Sequence, residues 1–179
     1  LFTWGYHPLW HGPLNRELLD SISPSRPIAV WHRSAHEFYL NTAALQTLQV
    51  TEEMTRKNPL WSKQVDFAAG HFYEGGLNYI MGGLLQRMAS PERLTFGLKQ
   101  MVAYLHQNGV TAFNEPGALI SSEIWQLYQE VLGAADVPLY STFIADGRGI
   151  PDRVGLEQAL AETERVISMS TTGKLSFFP

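Results

Sequence analysis

The sequence predicts an α/β fold with parallel strands joined by crossover helices. A helical stripe ends at Gly109 and leads straight into the apolar run VTAFN, 110–114. The same order then recurs: a serine-capped helix, Gly133, and the run VPLYSTFIA, 137–145, followed by a third helix. Helix, glycine and strand in alternation are what a parallel sheet with helical crossovers requires. At 179 residues, 45% of them hydrophobic, the chain is long enough to bury a proper core.

Residues 1–27 are rich in Pro, Gly and aromatics, with a short helix starting near Asn15 and stopped by SISPSRP. IAVWH, 28–32, is an apolar β-type run after Pro27, hence a buried strand. From Glu37 to Leu48 the apolar residues recur near a 3.6 period, which predicts a helix. Residues 51–75 are mixed; within them TEEMTRKNPLW holds most of the charge and a Pro, as a surface loop or short helix would. Leu77, Ile80, Met81, Leu84 and Leu85 share a helical face, with two Gly-Gly pairs blurring its limits. Ser90 is the N-cap and Pro91 the first residue of the next helix, whose stripe is Leu94, Leu98, Met101, Val102 and Leu105. Gly109 closes it in a left-handed conformation. Ser121 or Ser122 caps a helix through Leu132, with Ile124, Leu127, Tyr128 and Val131 inward, and a last helix runs over 152–168.

Composition excludes several functions. The formal charge is −4 and Lys and Arg form no stripe, which argues against binding a phosphodiester backbone. No apolar run approaches the roughly 20 residues that span a bilayer. There is no cysteine, so thiolate and disulfide chemistry are excluded and a reducing, cytoplasmic location is expected. The first residues lack the features of a secretory signal.

Taken in order, TWGYHPLWHGPLNRELLDSISPSRPIAVWHRSAHEFYLNTAAL, then GGLLQ, then LHQNGVTAFNEPG resemble the YtcJ-like branch of the amidohydrolases, amidohydrolase family 3. That branch shows a WG(Y/W) start, an SgH-x-x-x-vNs-AL box and a later GVT strand. The resemblance implies a metal-dependent hydrolase on a (β/α)8 TIM barrel with an inserted subdomain, cleaving C–N bonds of amides, including N-substituted formamides. It also implies a divalent metal, zinc first, held by an H-x-H after the first barrel strand, a lysine at the fourth, histidines at the fifth and sixth, and an aspartate at the eighth. None of these ligands is matched. No H-x-H occurs, His106 is the last histidine, and Lys174 lies in GKLSFFP, just ahead of the family's lysine strand.

The resemblance therefore implies a fragment: an α+β subdomain on the substrate side over 1–88, and over 89–179 a partial barrel with strands two (VTAFN) and three (LYSTFIA). Both ends read as cuts through folded sequence. The parent would take a small amide; this piece is expected to hold no metal, to be inactive alone, and to associate as a homo-oligomer through its uncovered surfaces. The rival reading is a self-standing α/β module that binds a ligand or partner without chemistry.

The candidate residues follow. His36 and Asn41, in SAHEFYLNTAAL, are placed by the resemblance at the barrel mouth, where each can bind an amide or carbonyl; otherwise they cap and tie the helix locally. Glu115 and Asn114 follow a barrel strand at its C-terminal end, where such barrels keep functional residues. Glu115 is the catalytic candidate and Asn114 a substrate-binding one. Trp4 belongs to an aromatic set that suits an apolar pocket or a subdomain core. The pairs His7/His11 and His32/His36 have a zinc-like i, i+4 spacing, but Pro8, Gly12 and Pro13 deny a helix to the first and a strand exit straddles the second. No metal ligand is assigned.

Overall fold

In the computed structural model, which describes residues 1–118, 121–147, 151, 154–169 and 173–178, Phe2–Tyr6 forms β1, the outer strand of a five-stranded sheet of order β1-β2-β3-β5-β4. The other strands are β2 (Ala29–His32), β3 (Glu37–Leu40), β4 (Val65–Asp66) and β5 (His71–Tyr73). β1 and β2 are parallel and the remaining pairs antiparallel. The chain divides into two units, Leu1–Met88 and Ala89–Pro179. Besides the sheet, the first unit holds the short helices α1 (Pro8–His11), α2 (Arg16–Ile22), α3 (Thr42–Thr47), α4 (Glu52–Thr55) and α5 (Met81–Met88).

The run expected to be one helix over 37–48 is a strand and then a helix. Phe38 and Leu40 are buried while Glu37 and Tyr39 are only partly covered, which is the period of two that a sheet imposes. Asn41 then caps α3, its side chain accepting the Ala44 N–H at 2.8 Å. One face of the sheet carries Ala29, Phe38, Leu40 and Phe72 into a core with Ala44, Leu45, Ile80 and Leu84. Burial of Phe38 and Phe72 contributes on the order of 2–3 kcal/mol each. β4 and β5 fall where the sequence predicts no strand.

The second unit follows the predicted alternation. α6 (Pro91–Gln107) starts behind the Ser90 cap, and Gly109 has φ +78°, the left-handed closure expected of it. β6 (Ala112–Ala118), α7 (Ser122–Val131) and β7 (Tyr140–Ala145) come next, with β6 and β7 parallel neighbours. α8 (Leu156–Ser168) leads to β8 (Leu175–Phe178), also parallel to β7. Residues 152–153 of the last expected helix lie outside the described residues. β8 is a strand that the apolar run GKLSFFP conceals. Leu98, Met101 and Val102 of α6, Trp125 and Val131 of α7, and Val166 of α8 share one core with Phe113, Phe143 and Leu175 of the sheet. α6, α7 and α8 thus pack on one face of it. No helix among the described residues is long and apolar enough to cross a membrane.

Candidate functional site

One face of the first unit's sheet carries the larger core; the other carries a small buried cluster of Tyr6, Leu19, Ile28 and Val30 and, beside it, polar and aromatic groups. The pairings Val30↔Tyr39 and Tyr39↔His71 put His32, Glu37, Tyr39, His71 and Tyr73 on the face opposite Phe38. Glu37 is the hub of this face. Its Oε2 accepts the His71 Nε2–H at 2.8 Å, and its Oε1 lies 3.9 Å from His32 Nδ1. The Tyr39 ring stacks flat on His71, centroids 4.4 Å apart and planes 2° apart. Burial first, then the Glu37 charge and a hydrogen bond to it, push the Tyr39 phenol up to about 12. His32 Nδ1 accepts the Ser34 N–H at 3.1 Å and sits 2.8 Å from Ser34 Oγ, which fixes its ring. Tyr6 meets Tyr39 and His32 edge-on and donates its hydroxyl to the Gly12 carbonyl at 2.7 Å.

The residues singled out in this unit are not gathered here. His36 is exposed at the start of β3, its Nδ1 3.3 Å from Glu74 Oε2. Asn41 lies at the other end of that strand, roughly 16 Å away for five residues of extended chain. Asn41 is completely buried. Its Oδ1 accepts the N–H groups of Ile28 and Ala44, and its Nδ2 donates to the carbonyls of Ser23 and Arg26, all at 2.8–2.9 Å. An amide makes no more bonds than these two acceptances and two donations, so Asn41 ties three segments together and has none left for a ligand. Trp4, on β1, is 62% exposed. With Tyr6, His11, Leu14 and Ile22 it lines a cleft of about 360 Å³ floored by Ile28 and Val30.

In the second unit the register sorts Asn114 from Glu115. Asn114, Thr142 and Ser176 are cross-strand partners on the face away from the helices, with Thr142 and Ser176 hydroxyls 3.1 Å apart. Glu115 pairs with Phe143, which lies in the helix-facing core. Its Oε1 accepts the Gly117 N–H at 3.1 Å, and its charge adds to burial in raising the phenol of Tyr128 on α7. Lys174 precedes β8, where its Nζ donates to the carbonyls of Ala135 and Val137 at 3.0 and 2.7 Å. That is the N-terminal end of the strand, opposite to the end where barrel sites form.

Among the described residues, no group of three or more His, Cys, Asp or Glu is placed to hold a metal ion. The residues that sequence reasoning missed are Glu37, Tyr39 and His71. Their signal was present in the alternation of HEFYL and HFY, in which one apolar position separates two polar or aromatic ones.

No protein-family model and no curated protein matches the sequence. Two solved structures share the fold. One is an uncharacterized metal-dependent hydrolase from Pyrococcus horikoshii OT3, with a TM-score of 0.62 and 15% identity over 99% of this chain and 33% of that one. The other is an uncharacterized metal-dependent hydrolase from Pyrococcus furiosus, with a TM-score of 0.56 and 16% identity over 98% of this chain and 33% of that one. The chain thus spans about a third of the length of each.

Proposed function

We propose that this chain is part of a metal-dependent hydrolase that cleaves C–N bonds of amides or N-substituted formamides. The observation that carries the reading is the sheet of the second unit: three parallel strands, the three described helices α6, α7 and α8 on one face, and a polar row, Asn114, Thr142 and Ser176, on the other. A partial (β/α)8 barrel has this form, because its inner face is helix-free and is covered only when the ring closes. The ordered motifs around SAHEFYLNTAAL and the likeness in fold to two metal-dependent hydrolases support the same reading.

The described residues do not fit a metal centre, since they include no cluster of three ligating side chains. The metal, zinc by the family resemblance, would be held by residues outside this chain. What this chain contributes is binding and orientation. Asn114 offers both a donor and an acceptor to an amide from the inner-face register, and Trp4 offers an apolar wall. Glu115 lies inside β6 rather than after it, and its Oε1 accepts the Gly117 N–H of the same strand. His36, exposed at a strand end, offers an imidazole to a carbonyl.

The test is made on the protein of the full reading frame that encodes this sequence. It should carry stoichiometric divalent metal and hydrolyse members of a panel of N-formyl and N-acyl amides, with activity lost on chelation and restored by zinc. Binding of amides without turnover and without metal would replace this reading by that of a non-catalytic module.

A further inference from the structure

The loops that follow β1 and β2 hold a cluster that adjoins the Glu37 face through His32 and is separate from the sheet of the second unit. β1 and β2 are parallel neighbours, so their C-terminal ends emerge side by side. His7 follows β1 and Arg33 follows β2, and the Arg33 N–H donates to the Tyr6 carbonyl at 2.9 Å, which ties the two loops together. The Arg33 guanidinium carbon stands 4.7 Å from the Trp10 ring centre. Among the described residues that guanidinium has no carboxylate or hydrogen-bond partner, although the chain carries an excess of acidic groups. An arginine held on an aromatic face with its fork unused is organised for a planar anion.

His7 stands beside it. Its ring lies 4.7 Å from Trp10 and 5.3 Å from His32. Its Nδ1 accepts the Leu9 N–H at 3.2 Å, so the neutral ring carries its proton on Nε2 and can donate from there. Desolvation first, then the charges of Arg33, His32 and His11, hold the imidazole below its ordinary range, while Glu37 acts the other way. At neutral pH the site therefore presents one fixed positive charge and a neutral donor. Glu37, 3.9 Å from His32, adds a negative charge nearby that opposes any anion, and a dianion more than a monoanion. Tyr6 and His11, whose rings meet at 5.9 Å, also line the apolar cleft of about 360 Å³ that Trp4 borders.

We propose that Arg33 and His7, with Trp10 as a platform, bind the carboxylate of a small aromatic or aliphatic monoanion whose apolar body enters the Trp4 cleft. The fork of Arg33 takes the two carboxylate oxygens side by side. The proposal stands whether or not the parent is a hydrolase, because it concerns binding alone.

The probes are benzoate, its neutral counterpart benzamide, acetate and inorganic phosphate, titrated into the 179-residue chain with backbone amide and imidazole resonances followed by NMR. Benzoate should give saturable shifts confined to residues 3–11 and 32–35, weakened by salt. Benzamide and acetate should bind about tenfold or more weakly, the one lacking the charge and the other the body. Phosphate should bind more weakly than benzoate at pH 8, and Glu37→Gln should narrow that gap. Arg33→Gln should weaken benzoate about tenfold or more, Arg33→Lys less, and bound benzoate should raise the His7 titration midpoint. Arg33 is exposed, so these variants should keep a dispersed spectrum; Trp10→Ala serves as an independent second variant and should also weaken benzoate. Equal affinity for benzamide and benzoate, shifts that do not saturate, or unchanged binding in Arg33→Gln would each reduce the cluster to a surface contact between an arginine and a tryptophan.

Discussion

Replacing Asn41 should unfold the first unit at conditions where the parent chain is intact. Its side chain completes four hydrogen bonds in a fully buried position, to Ile28, Ala44, Ser23 and Arg26. Asn41→Ala leaves two N–H donors and two carbonyls without partners. Each buried group left so costs about 1–3 kcal/mol, and water admitted to the vacated space recovers part, so the net loss should be about 3–5 kcal/mol. For a unit of this size that lowers its midpoint by roughly 15 °C or more. The variants should rank by chemistry. Asn41→Ser keeps an N-cap oxygen for Ala44 and should recover about 1 kcal/mol over alanine. Asn41→Asp keeps both acceptances but sets a carboxylate against two carbonyls, so it should be no better than alanine. Trp4, Trp10, Trp31 and Trp61 lie in this unit and only Trp125 in the other, so tryptophan fluorescence in urea reports mainly on it. A loss below about 1 kcal/mol for Asn41→Ala would refute the reasoning and return Asn41 to the pool of ligand-contacting residues.

Three further outcomes are expected. Glu162 of α8 accepts the N–H and hydroxyl of Ser122 at 2.7 and 2.8 Å, and its carboxyl is held below its ordinary range, first by Arg165 and then by Ser122. A lowered folded value stabilises above the unfolded one and is lost as pH falls through the folded one, so Glu162→Gln should cost about 1–2 kcal/mol near pH 7 and progressively less below pH 4, read by urea unfolding across that range. Tyr39, raised to about 12, contributes stability that is complete below the ordinary tyrosine value of about 10 and is lost as pH rises through its folded value; ultraviolet titration against a Tyr39→Phe reference should show Glu37→Gln bringing it down, and no change would remove Glu37 from the account. The helix-free face of the second sheet exposes 59% of Tyr140, and with the open outer edges of β6 and β8 it should drive a two-fold association burying well over roughly 1,000 Å²; sedimentation velocity should show a dimer that Tyr140→Glu dissociates, whereas a monomer at high concentration would refute it.

The second unit was the more legible in the sequence because its signals are long and redundant. α6 offers a serine cap, a proline behind it, an apolar stripe over 94–105 and a glycine stop at Gly109, and each constrains the same boundary independently. Trp125, buried in the core of this unit, escaped because the stripe of Ile124, Leu127, Tyr128 and Val131 already filled one helical face. The first unit is made of strands of two to five residues, too short for periodicity to separate from helix. Phe38, Leu40, Ala44 and Leu45 fit a period of two followed by a helix as well as they fit one helix. Asn41 decides between them. An asparagine before Thr42 is a helix start, so the apolar residues ahead of it belong to a different element. Read that way, SAHEFYLNTAAL divides at Asn41 without any structure.

The candidate site was less legible, and the reason is register. Sequence spacing places Asn114 and Glu115 at the end of an expected strand over 110–114, whereas β6 runs on to Ala118 and holds both, and spacing does not say which of the two faces the helices. That is decided by Asn114 pairing with Thr142 and Glu115 with Phe143, and Phe143 lies in the core under Trp125 and Tyr128. A shift of one residue would exchange their roles. The same holds for Glu37 and His71, which are 34 positions apart in the chain yet 2.8 Å apart in space because β3 and β5 are antiparallel neighbours. No local motif joins them. Such pairs become visible only when two short alternating runs, HEFYL and HFY here, are aligned as adjacent strands, and the alignment then predicts which polar groups meet. Applied to β1 and β2, the same procedure brings His7 and Arg33 to neighbouring strand ends. The unused guanidinium there is a property of the folded sheet that neither residue shows alone.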